Sequence, residues 1–244
     1  MKKDDSTREY WNGRAADFRK STSIYEEAFL SMACLREGES VFDMGCGPGT
    51  LSVPLAKEGH KVLACDFSEE MIRLLKEEAD EKNLSSFIDA KVLDWNEDWE
   101  GKEIYPCDVA IASRSLMAEN LEDALLKLDS MAERKVIITS PAKTSRTCPE
   151  AAEYMGIDIE DKYLRVLDAL DRLDIPYTCD FLDLGEKDTA YDSMEECFKK
   201  IRRGFDELTS AQEESLKSFI KDRYEDGRLR TSWPVRWAFI WWEK

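Results

Sequence analysis

The sequence feature that most constrains the fold is a glycine-rich segment at residues 40–50, Ser-Val-Phe-Asp-Met-Gly-Cys-Gly-Pro-Gly-Thr. It begins with a short apolar run, typical of a buried strand, and continues through glycines at alternate positions, Gly45, Gly47 and Gly49. An apolar pattern with helical spacing follows from Leu51. A strand, a glycine turn and a helix in this order bring bare backbone and unpaired N–H groups against a small ligand. The segment therefore predicts a binding loop for a carboxylate or phosphate.

Two acids follow later strand patterns. The apolar run at residues 61–66 ends at Asp66, and the next run is followed by Asp94. The carboxyl ends of neighbouring parallel strands lie side by side, so Asp66 is expected beside the glycine loop. One carboxylate can accept hydrogen bonds from both hydroxyls of a ribose, which gives Asp66 a specific task. Asp89 and Asp98 are rival candidates for the second acid.

The spacing of the glycines separates this loop from dinucleotide-binding loops. Those loops have Gly-x-Gly-x-x-Gly, whereas this chain has Gly-x-Gly-x-Gly with an acid, Asp43, two residues before the first glycine. The run Asp-Met-Gly-Cys-Gly-Pro-Gly resembles the first motif of the class I S-adenosylmethionine-dependent methyltransferases, of the small-molecule type. The resemblance is close over residues 38–140 and holds in outline elsewhere.

The resemblance implies an α/β fold with a doubly wound, mostly parallel, Rossmann-like sheet of seven strands. The strand order would be 3-2-1-4-5-7-6 with the last strand antiparallel, preceded by N-terminal helices and with a helical insertion before the last strand. Residues 1–37 would then be an N-terminal helical lid, and residues 38–191 and 228–244 the cofactor-binding α/β domain. Residues 192–227 would be the helical insertion, either a cap over the substrate or a lateral buttress.

The cofactor that the resemblance implies is S-adenosylmethionine. The loop would bind its methionine end and Asp66 its ribose hydroxyls, while Asp94 would accept from the adenine amino group. The full set of cofactor-binding residues implied in this way is Arg14, Asp43, Gly45, Cys46, Gly47, Gly49, Asp66, Phe67, Met71, Asp94, Trp95 and Ser113.

The sequence says less about the methyl acceptor than about the cofactor. The strand pattern at residues 107–113 leads into Ser113-Arg114-Ser115-Leu116, where the family's fourth motif lies next to the methyl acceptor. Amide methylases have Asn-Pro-Pro-Tyr or a close relative there, so this sequence argues against adenine-N6, cytosine-N4 and glutamine-amide acceptors. Arg114 would bind an anionic substrate or pair with a surface acid, and both interpretations remain open.

The N-terminal segment has aromatic residues at helical spacing. Tyr-Trp-Asn-x-x-Ala-x-x-Phe resembles the segment that many small-molecule methyltransferases fold over the cofactor. Tyr10 or Trp11 would then face the ligand, and Arg14 would reach its carboxylate. The alternative is an amphipathic helix that packs its aromatic residues on the domain. A second helical face is expected at Ile24, Ala28, Phe29 and Met32.

Composition limits the partners. A net charge of −17 over 244 residues disfavours a nucleic-acid partner, because such proteins concentrate positive charge. No apolar run approaches the roughly 20 residues of a membrane span, and no secretory signal follows the first residues. Seven cysteines without a Cys-x-x-Cys pair, with His60 as the single histidine, predict reduced thiols in a cytoplasmic protein without a metal site. His60 is expected at the surface, at the end of a helix.

These observations predict a methyltransferase that transfers the methyl group of S-adenosylmethionine in line to a small-molecule acceptor. No catalytic residue is identified, which favours an acceptor with an ionised or lone-pair nucleophile. One alternative is an NAD-dependent oxidoreductase, which the glycine spacing and the lack of a Tyr-x-x-x-Lys pattern disfavour. Another is a non-catalytic partner subunit with the same fold, which the intact loop and Asp66 disfavour. The acceptor and the oligomeric state stay open.

Overall fold

The computed structural model describes residues 7–14, 24–142, 147–186, 189–205 and 207–244. The helices are α1 (Arg8–Arg14), α2 (Ile24–Ala33), α3 (Ser52–Lys57), α4 (Glu69–Glu81), α5 (Leu121–Ser130), α6 (Pro149–Tyr154), α7 (Lys162–Arg172), α8 (Met194–Arg202) and α9 (Ser210–Arg223). The strands are β1 (Val41–Met44), β2 (Val62–Asp66), β3 (Ile88–Val92), β4 (Cys107–Ser113), β5 (Ala132–Pro141), β6 (Thr178–Glu186), β7 (Tyr224–Glu225), β8 (Arg228–Leu229) and β9 (Pro234–Glu243).

Seven of these strands form one sheet in the order β3-β2-β1-β4-β5-β9-β6. β1 pairs in parallel with β2 and β4, β2 with β3, and β4 with β5, whereas the last strand, β9, is antiparallel. The predicted order and direction of the strands are therefore confirmed. The predicted seventh strand is β9 because the short antiparallel pair β7–β8 precedes it in the chain.

The central strands of the sheet are buried and mostly apolar. β1 and β2 are buried along their whole length, as in parallel strands covered on both faces, whereas the edge strand β3 alternates between buried and exposed. Gly45 follows the last residue of β1, so the loop extends from the buried centre of the sheet. A serine followed by Glu69 and Glu70 predicts a helix start, and the Ser68 hydroxyl caps α4 by accepting a hydrogen bond from the Met71 N–H at 3.2 Å.

The apolar face expected for the second N-terminal helix is confirmed at Phe29 and wrong at its other positions. Ile24 is 70% exposed, and the buried residues of α2 are Tyr25, Phe29 and Ala33, which lie four residues apart. The Phe29 ring packs on Phe239 with ring centroids 5.5 Å apart. A tyrosine takes the place expected for an aliphatic residue because its hydroxyl has partners inside the protein, as described below.

Two further expectations are corrected. His60 is buried rather than at the surface, and its Nδ1 lies 2.8 Å from the carbonyl oxygen of Glu39. Glu39 precedes β1 and His60 precedes β2, so the imidazole lies at the amino edge of the sheet, opposite the glycine loop. The sequence of residues 141–150, Pro-Ala-Lys-Thr-Ser-Arg-Thr-Cys-Pro-Glu, predicts a loop, but Pro149 begins α6, whose alanines at 151 and 152 are buried.

The chain divides into two compact units. The first contains the glycine loop and spans residues 4–140, 165–180 and 239–244, and the second contains residues 141–164 and 181–238. The second unit has a core of its own, made of Cys148, Ala151, Ala152, Met155, Tyr191, Cys197, Ile201, Phe205, Leu216, Phe219, Ile220, Leu229 and Trp233. The two charged helices expected between residues 192 and 227 are present as α8 and α9. Their role as a substrate cap stays a prediction.

Candidate functional site

The strand order defines one crevice in the first unit. The order of the chain reverses between β1 and β4, and ligands of such sheets bind outside the carboxyl ends of the strands at this switch point. The glycine loop follows β1, Asp66 ends β2 and Ser113 ends β4. The N–H of Leu93 donates to the carbonyl of Asp66 at 3.0 Å, which brings Asp94 to the same edge.

The three loop glycines have positive φ angles but different surroundings. A Cβ on Gly45 (φ 76°) would lie 2.2 Å from the Cβ of Ser115, and a Cβ on Gly49 (φ 96°) would lie 2.4 Å from Leu75. Both glycines are thus required by close packing. Gly47 (φ 56°) differs, because a Cβ there would meet no atom within 4 Å. The backbone at Gly47 therefore borders open space at the edge of the crevice.

Asp66 is fixed beside this open backbone. Its Oδ2 accepts from the Gly47 N–H and its Oδ1 from the Ser68 N–H, both at 2.9 Å, and the residue is 6% exposed. Burial raises the pKa of Asp66, while the two backbone hydrogen bonds oppose the shift. Each carboxylate oxygen has a second lone pair, so Asp66 can still accept from two hydroxyl groups.

Asp43 lies beneath the loop rather than in the crevice. It is 1% exposed, and its Oδ2 accepts a hydrogen bond of 2.6 Å from Ser52 Oγ, which ties the end of β1 to the start of α3. Burial raises its pKa to about 7, against the effect of the Ser52 hydrogen bond, and the charge of Asp66 adds to the rise. Cys46 is also buried, and its N–H donates to the carbonyl of Cys65 at 2.9 Å.

Of the three acids considered after the third strand, Asp94 lies at the carboxyl edge. Its Oδ1 accepts from the Asn96 N–H at 2.9 Å, and its Oδ2 lies 3.9 Å from the Arg8 guanidinium. Asp89 lies within β3 and pairs with Lys91, and Asp98 accepts from a backbone N–H in the next turn.

Trp95, which follows Asp94, is 6% exposed. Its indole N–H donates to the carbonyl of Ser115 at 2.9 Å, so its ring joins the end of β3 to the end of β4. The ring supports the edge of the crevice from inside the fold.

Helix α1 lies against Met71, one of the cofactor-binding residues that the resemblance implies. Trp11 packs on the buried pair Met71 and Leu74, and Asn12 Oδ1 accepts from Ser68 Oγ at 2.5 Å. Trp11 therefore makes the packing contact that was the alternative to a ligand-facing position. Its neighbour Tyr10 meets the Trp11 ring edge-on with centroids 5.4 Å apart. Phe67 is half-buried beside Asp66. The Arg14 side chain lies outside the described residues.

A cluster of hydroxyl groups lies at the carboxyl ends of β4 and β5. The buried hydroxyl of Tyr25 lies 2.6 Å from Ser113 Oγ and 2.6 Å from Thr139 Oγ1. Burial raises the pKa of Tyr25 and the Arg114 charge opposes the rise, so the phenol is protonated at neutral pH and serves as a hydrogen-bonding group. The Arg114 guanidinium lies over the Tyr25 ring, 3.9 Å from its centroid.

Sequence reasoning missed Tyr25, Thr139 and Ser115 as residues of this site. Tyr25 reaches the site from a helix 88 residues before Ser113, and no local pattern marks that contact. Ser115 does carry a signal, since a small residue is required where Gly45 approaches it and its hydroxyl donates to the carbonyl of Met44 at 2.6 Å.

No group of three or more histidine, cysteine, aspartate or glutamate residues within the described ranges could bind a metal ion. Across the same ranges, none of the helices has the length and apolar character needed to cross a membrane.

Residues 41–132 match the family model described as a methyltransferase domain. The matched region contains the glycine loop, both acids at the strand ends and the Ser113 strand end. With the observed strand order, this match confirms the resemblance to the class I S-adenosylmethionine-dependent methyltransferases.

Several known proteins are similar to this chain in sequence or in fold. An uncharacterized protein of Haemophilus influenzae is 28% identical over 227 residues, which is 90% of this chain and 82% of that protein. The chloroplastic magnesium protoporphyrin IX methyltransferase of Arabidopsis thaliana is 34% identical over 108 residues, 44% of this chain and 34% of that protein. The crystal structure of magnesium protoporphyrin IX methyltransferase from Synechocystis PCC 6803 with bound SAH is 19% identical, with a TM-score of 0.53. The structural match covers 72% of this chain and 91% of the Synechocystis chain, and this likeness shows the fold.

Proposed function

We propose that this chain, which carries a methyltransferase domain in the class I fold, is an S-adenosylmethionine-dependent methyltransferase with a small-molecule acceptor. The observation that carries the proposal is the open side of Gly47 next to the fixed carboxylate of Asp66. A loop that packs closely at two glycines and leaves the middle one facing open space suits a ligand that approaches the backbone.

The residues present fit the cofactor. Asp66 has two carboxylate oxygens with spare acceptor capacity, as two ribose hydroxyls require. Asp94 lies at the neighbouring strand end, where it would accept from the adenine amino group. The carboxylate of Asp66 lies beside the loop, where it suits a ligand with a cationic sulfonium and ammonium group.

When bound, S-adenosylmethionine would supply an electrophilic methyl group on a sulfonium, with the thioether S-adenosylhomocysteine as the leaving group. The protein contributes binding and orientation, which can account for much of the acceleration of such a reaction. Asp66 would fix the sugar, and the hydroxyls of Tyr25 and Ser113 would orient the acceptor at the end of β4. A general base is needed only for an acceptor that arrives protonated, and His60 at the opposite edge cannot serve.

A small-molecule acceptor is supported by two observations. The net charge of −17 disfavours a nucleic acid, and the named relatives from Arabidopsis and Synechocystis are methyltransferases of magnesium protoporphyrin IX. The seven free cysteines are consistent with a reducing compartment, and we place the enzyme in the cytoplasm.

Calorimetric titration of the full chain with S-adenosylhomocysteine and, separately, with NAD tests the proposal. We expect S-adenosylhomocysteine to bind and NAD not to bind. Asp66→Ala should weaken the binding of S-adenosylhomocysteine at least tenfold, because a buried charged acceptor is lost, about 1–3 kcal/mol.

The matched control is Asp89→Ala, which removes an exposed acid from the neighbouring strand and should leave the affinity within twofold. Circular dichroism establishes that both variants are folded. Binding of NAD alone would favour the oxidoreductase, and binding of neither ligand a non-catalytic subunit.

A further inference from the structure

We propose that Arg8 of α1 takes part in recognising the cofactor's base, by donating a hydrogen bond to a ring nitrogen next to the amino group that Asp94 would accept from. The inference rests on the proposed function and adds a specificity-determining residue to the same site. It is carried by the packing of α1, by the position of the Arg8 guanidinium among acids at the strand ends and by the hydrogen-bonding pattern of adenine.

The packing of α1 on α4 brings Arg8 to this edge of the sheet. Asn12 Oδ1 accepts from the Oγ of Ser68, the cap of α4, at 2.5 Å, and Trp11 packs on Met71 in the first turn of α4. Residues three and four apart in a helix lie on one face, so Arg8 shares a face with Trp11 and Asn12. The same contacts therefore direct the Arg8 side chain toward the start of α4, which follows the carboxyl end of β2.

The Arg8 guanidinium lies among acids from two strand ends. Its Nη2 is 3.9 Å from Asp94 Oδ2, and its Nη1 is 3.5 Å from Oε1 of Glu69, the first residue of α4. Burial raises the pKa of Asp66, and the Arg8 charge adds to the backbone hydrogen bonds that oppose the rise. The cation is thus close to both carboxylates that the proposed function assigns to the nucleoside.

These two ion pairs allow a ligand to share the guanidinium. Both separations exceed the roughly 2.7–2.9 Å of a charge-assisted hydrogen bond, and 38% of the Arg8 side chain is exposed. A guanidinium has five N–H donors arranged in one plane, so it can face a carboxylate on one side and donate to a ligand on another. A base that arrives here would not have to break either ion pair.

Adenine has the complementary pattern along one edge. Its amino group donates, and the ring nitrogens on either side of that group, N1 and N7, accept. Asp94 Oδ1 accepts from the Asn96 N–H, whereas Oδ2 lies toward Arg8, so an accepting oxygen and donor groups lie side by side. A hydrogen bond from the amino group to Asp94 would bring N1 or N7 toward the guanidinium. A base with an oxo group in place of the amino group would instead turn an acceptor toward the carboxylate.

The test removes the two partners of the proposed hydrogen bond separately. The full chain is titrated by calorimetry with S-adenosylhomocysteine and with its 1-deaza and 7-deaza analogues, each of which has a carbon in place of one ring nitrogen. Arg8→Met should weaken S-adenosylhomocysteine at least tenfold but one of the analogues less than twofold, because that analogue lacks the acceptor that Arg8 contacts. The same analogue should bind the unaltered protein at least tenfold more weakly than S-adenosylhomocysteine does.

Two further variants complete the test. Arg8→Lys keeps a charged donor and should recover part of the affinity for S-adenosylhomocysteine. Arg73→Met removes an exposed arginine of α4 that is paired with Glu70, and it should leave all three affinities within twofold. An equal loss for all three ligands in Arg8→Met, or no loss, would overturn the inference while the proposed function stands. If S-adenosylhomocysteine failed to bind the unaltered protein, the proposed function would fail and the inference with it.

Discussion

At Gly47 the conformational role of a glycine can be separated from its role in binding. Gly47→Ala adds a methyl group that meets no protein atom but projects into the space proposed for the ligand. We expect a loss of stability of about 1–2 kcal/mol from the left-handed backbone and a decrease of at least tenfold in the affinity for S-adenosylhomocysteine. Denaturant unfolding and calorimetry measure the two effects.

The matched control is Gly101→Ala, since Gly101 also has a positive φ angle (74°) and no atom within 4 Å of its Cβ position. It should lose a similar amount of stability and keep its affinity. Equal affinities in the two variants would contradict the position of the ligand at Gly47.

Gly45 gives a prediction about stability instead. Gly45→Ala would place a Cβ 2.2 Å from the Cβ of Ser115, a contact that no side-chain rotation relieves. We expect the variant to be clearly less stable than Gly47→Ala. Adding Ser115→Gly should restore part of the loss, whereas additive effects in the double variant would argue against this contact. Thermal unfolding followed by circular dichroism compares the unaltered protein, Gly45→Ala, Ser115→Gly and the double variant.

At the scale of residues, the sequence identifies those site residues whose pattern rarely occurs for any other reason. Alternate glycines after a strand indicate an unusual backbone, and Asp66 at a strand end indicates a polar edge. It does not identify Tyr25, because the neighbour that explains this tyrosine, Thr139, is 114 residues away. Nor does it separate Gly47 from Gly45, since only the packing distinguishes them.

At the scale of elements, the junction between β1 and α3 should respond to pH. The pKa of Asp43 is raised to about 7 in the folded protein, from an ordinary value near 3.8. Between these pH values the folded state binds more protons than the unfolded state, so the free energy of unfolding decreases as pH rises and levels off above about 7. We expect a decrease of about 1–3 kcal/mol between pH 5 and 8 from this group.

The comparison variant is Asp43→Asn, whose amide oxygen can still accept from Ser52 but which does not titrate. Urea unfolding at pH 5 and pH 8 should show a smaller dependence in the variant than in the unaltered protein. The pKa of Asp66 is also raised, so Asp66 contributes a pH dependence of the same sign, and it does so in both proteins. An identical pH dependence in the two would show that Asp43 is not the responsible group.

Elements with long, uniform patterns are predicted well from the sequence. The continuous apolar runs give β1, β2 and β4, and the Ser68 cap gives the start of α4. The short helix α6 is missed because its six residues complete fewer than two turns, too few to show a helical period. The sequence does not predict the buried position of Tyr25 in α2, because a residue with a polar hydroxyl group is not expected in an apolar face.

At the scale of the whole molecule, the second unit can be perturbed without direct change to the loop. Phe219 of α9 is fully buried in the core of that unit. Phe219→Ala should cost about 3–5 kcal/mol of stability, because it removes an aromatic ring from a packed core. The affinity of the folded protein for S-adenosylhomocysteine should stay within twofold, since Gly47 and Asp66 belong to the first unit.

The control is Met194→Ala, a truncation at a residue of α8 that is 42% exposed, which should change stability by less than 1 kcal/mol. Denaturant unfolding and calorimetry again give the two quantities. A large loss of affinity in folded Phe219→Ala would mean that the second unit takes part in binding the cofactor.

The order of the seven strands is predicted because the resemblance supplies it, and residues 38–140 carry that resemblance. Physical patterns alone give the strands without their order, since an apolar run does not specify its neighbours. The division into two compact units has no signal in composition, because charged helices of this kind occur on any surface.

The two backbone hydrogen bonds to Asp66 have a consequence for selectivity. Its carboxylate is immobilised before any nucleoside arrives, so it cannot rotate to compensate for a missing partner. On the proposed function, an analogue with a 2′-deoxy sugar would leave one oxygen facing a void, and the site would discriminate sharply between ribose and deoxyribose.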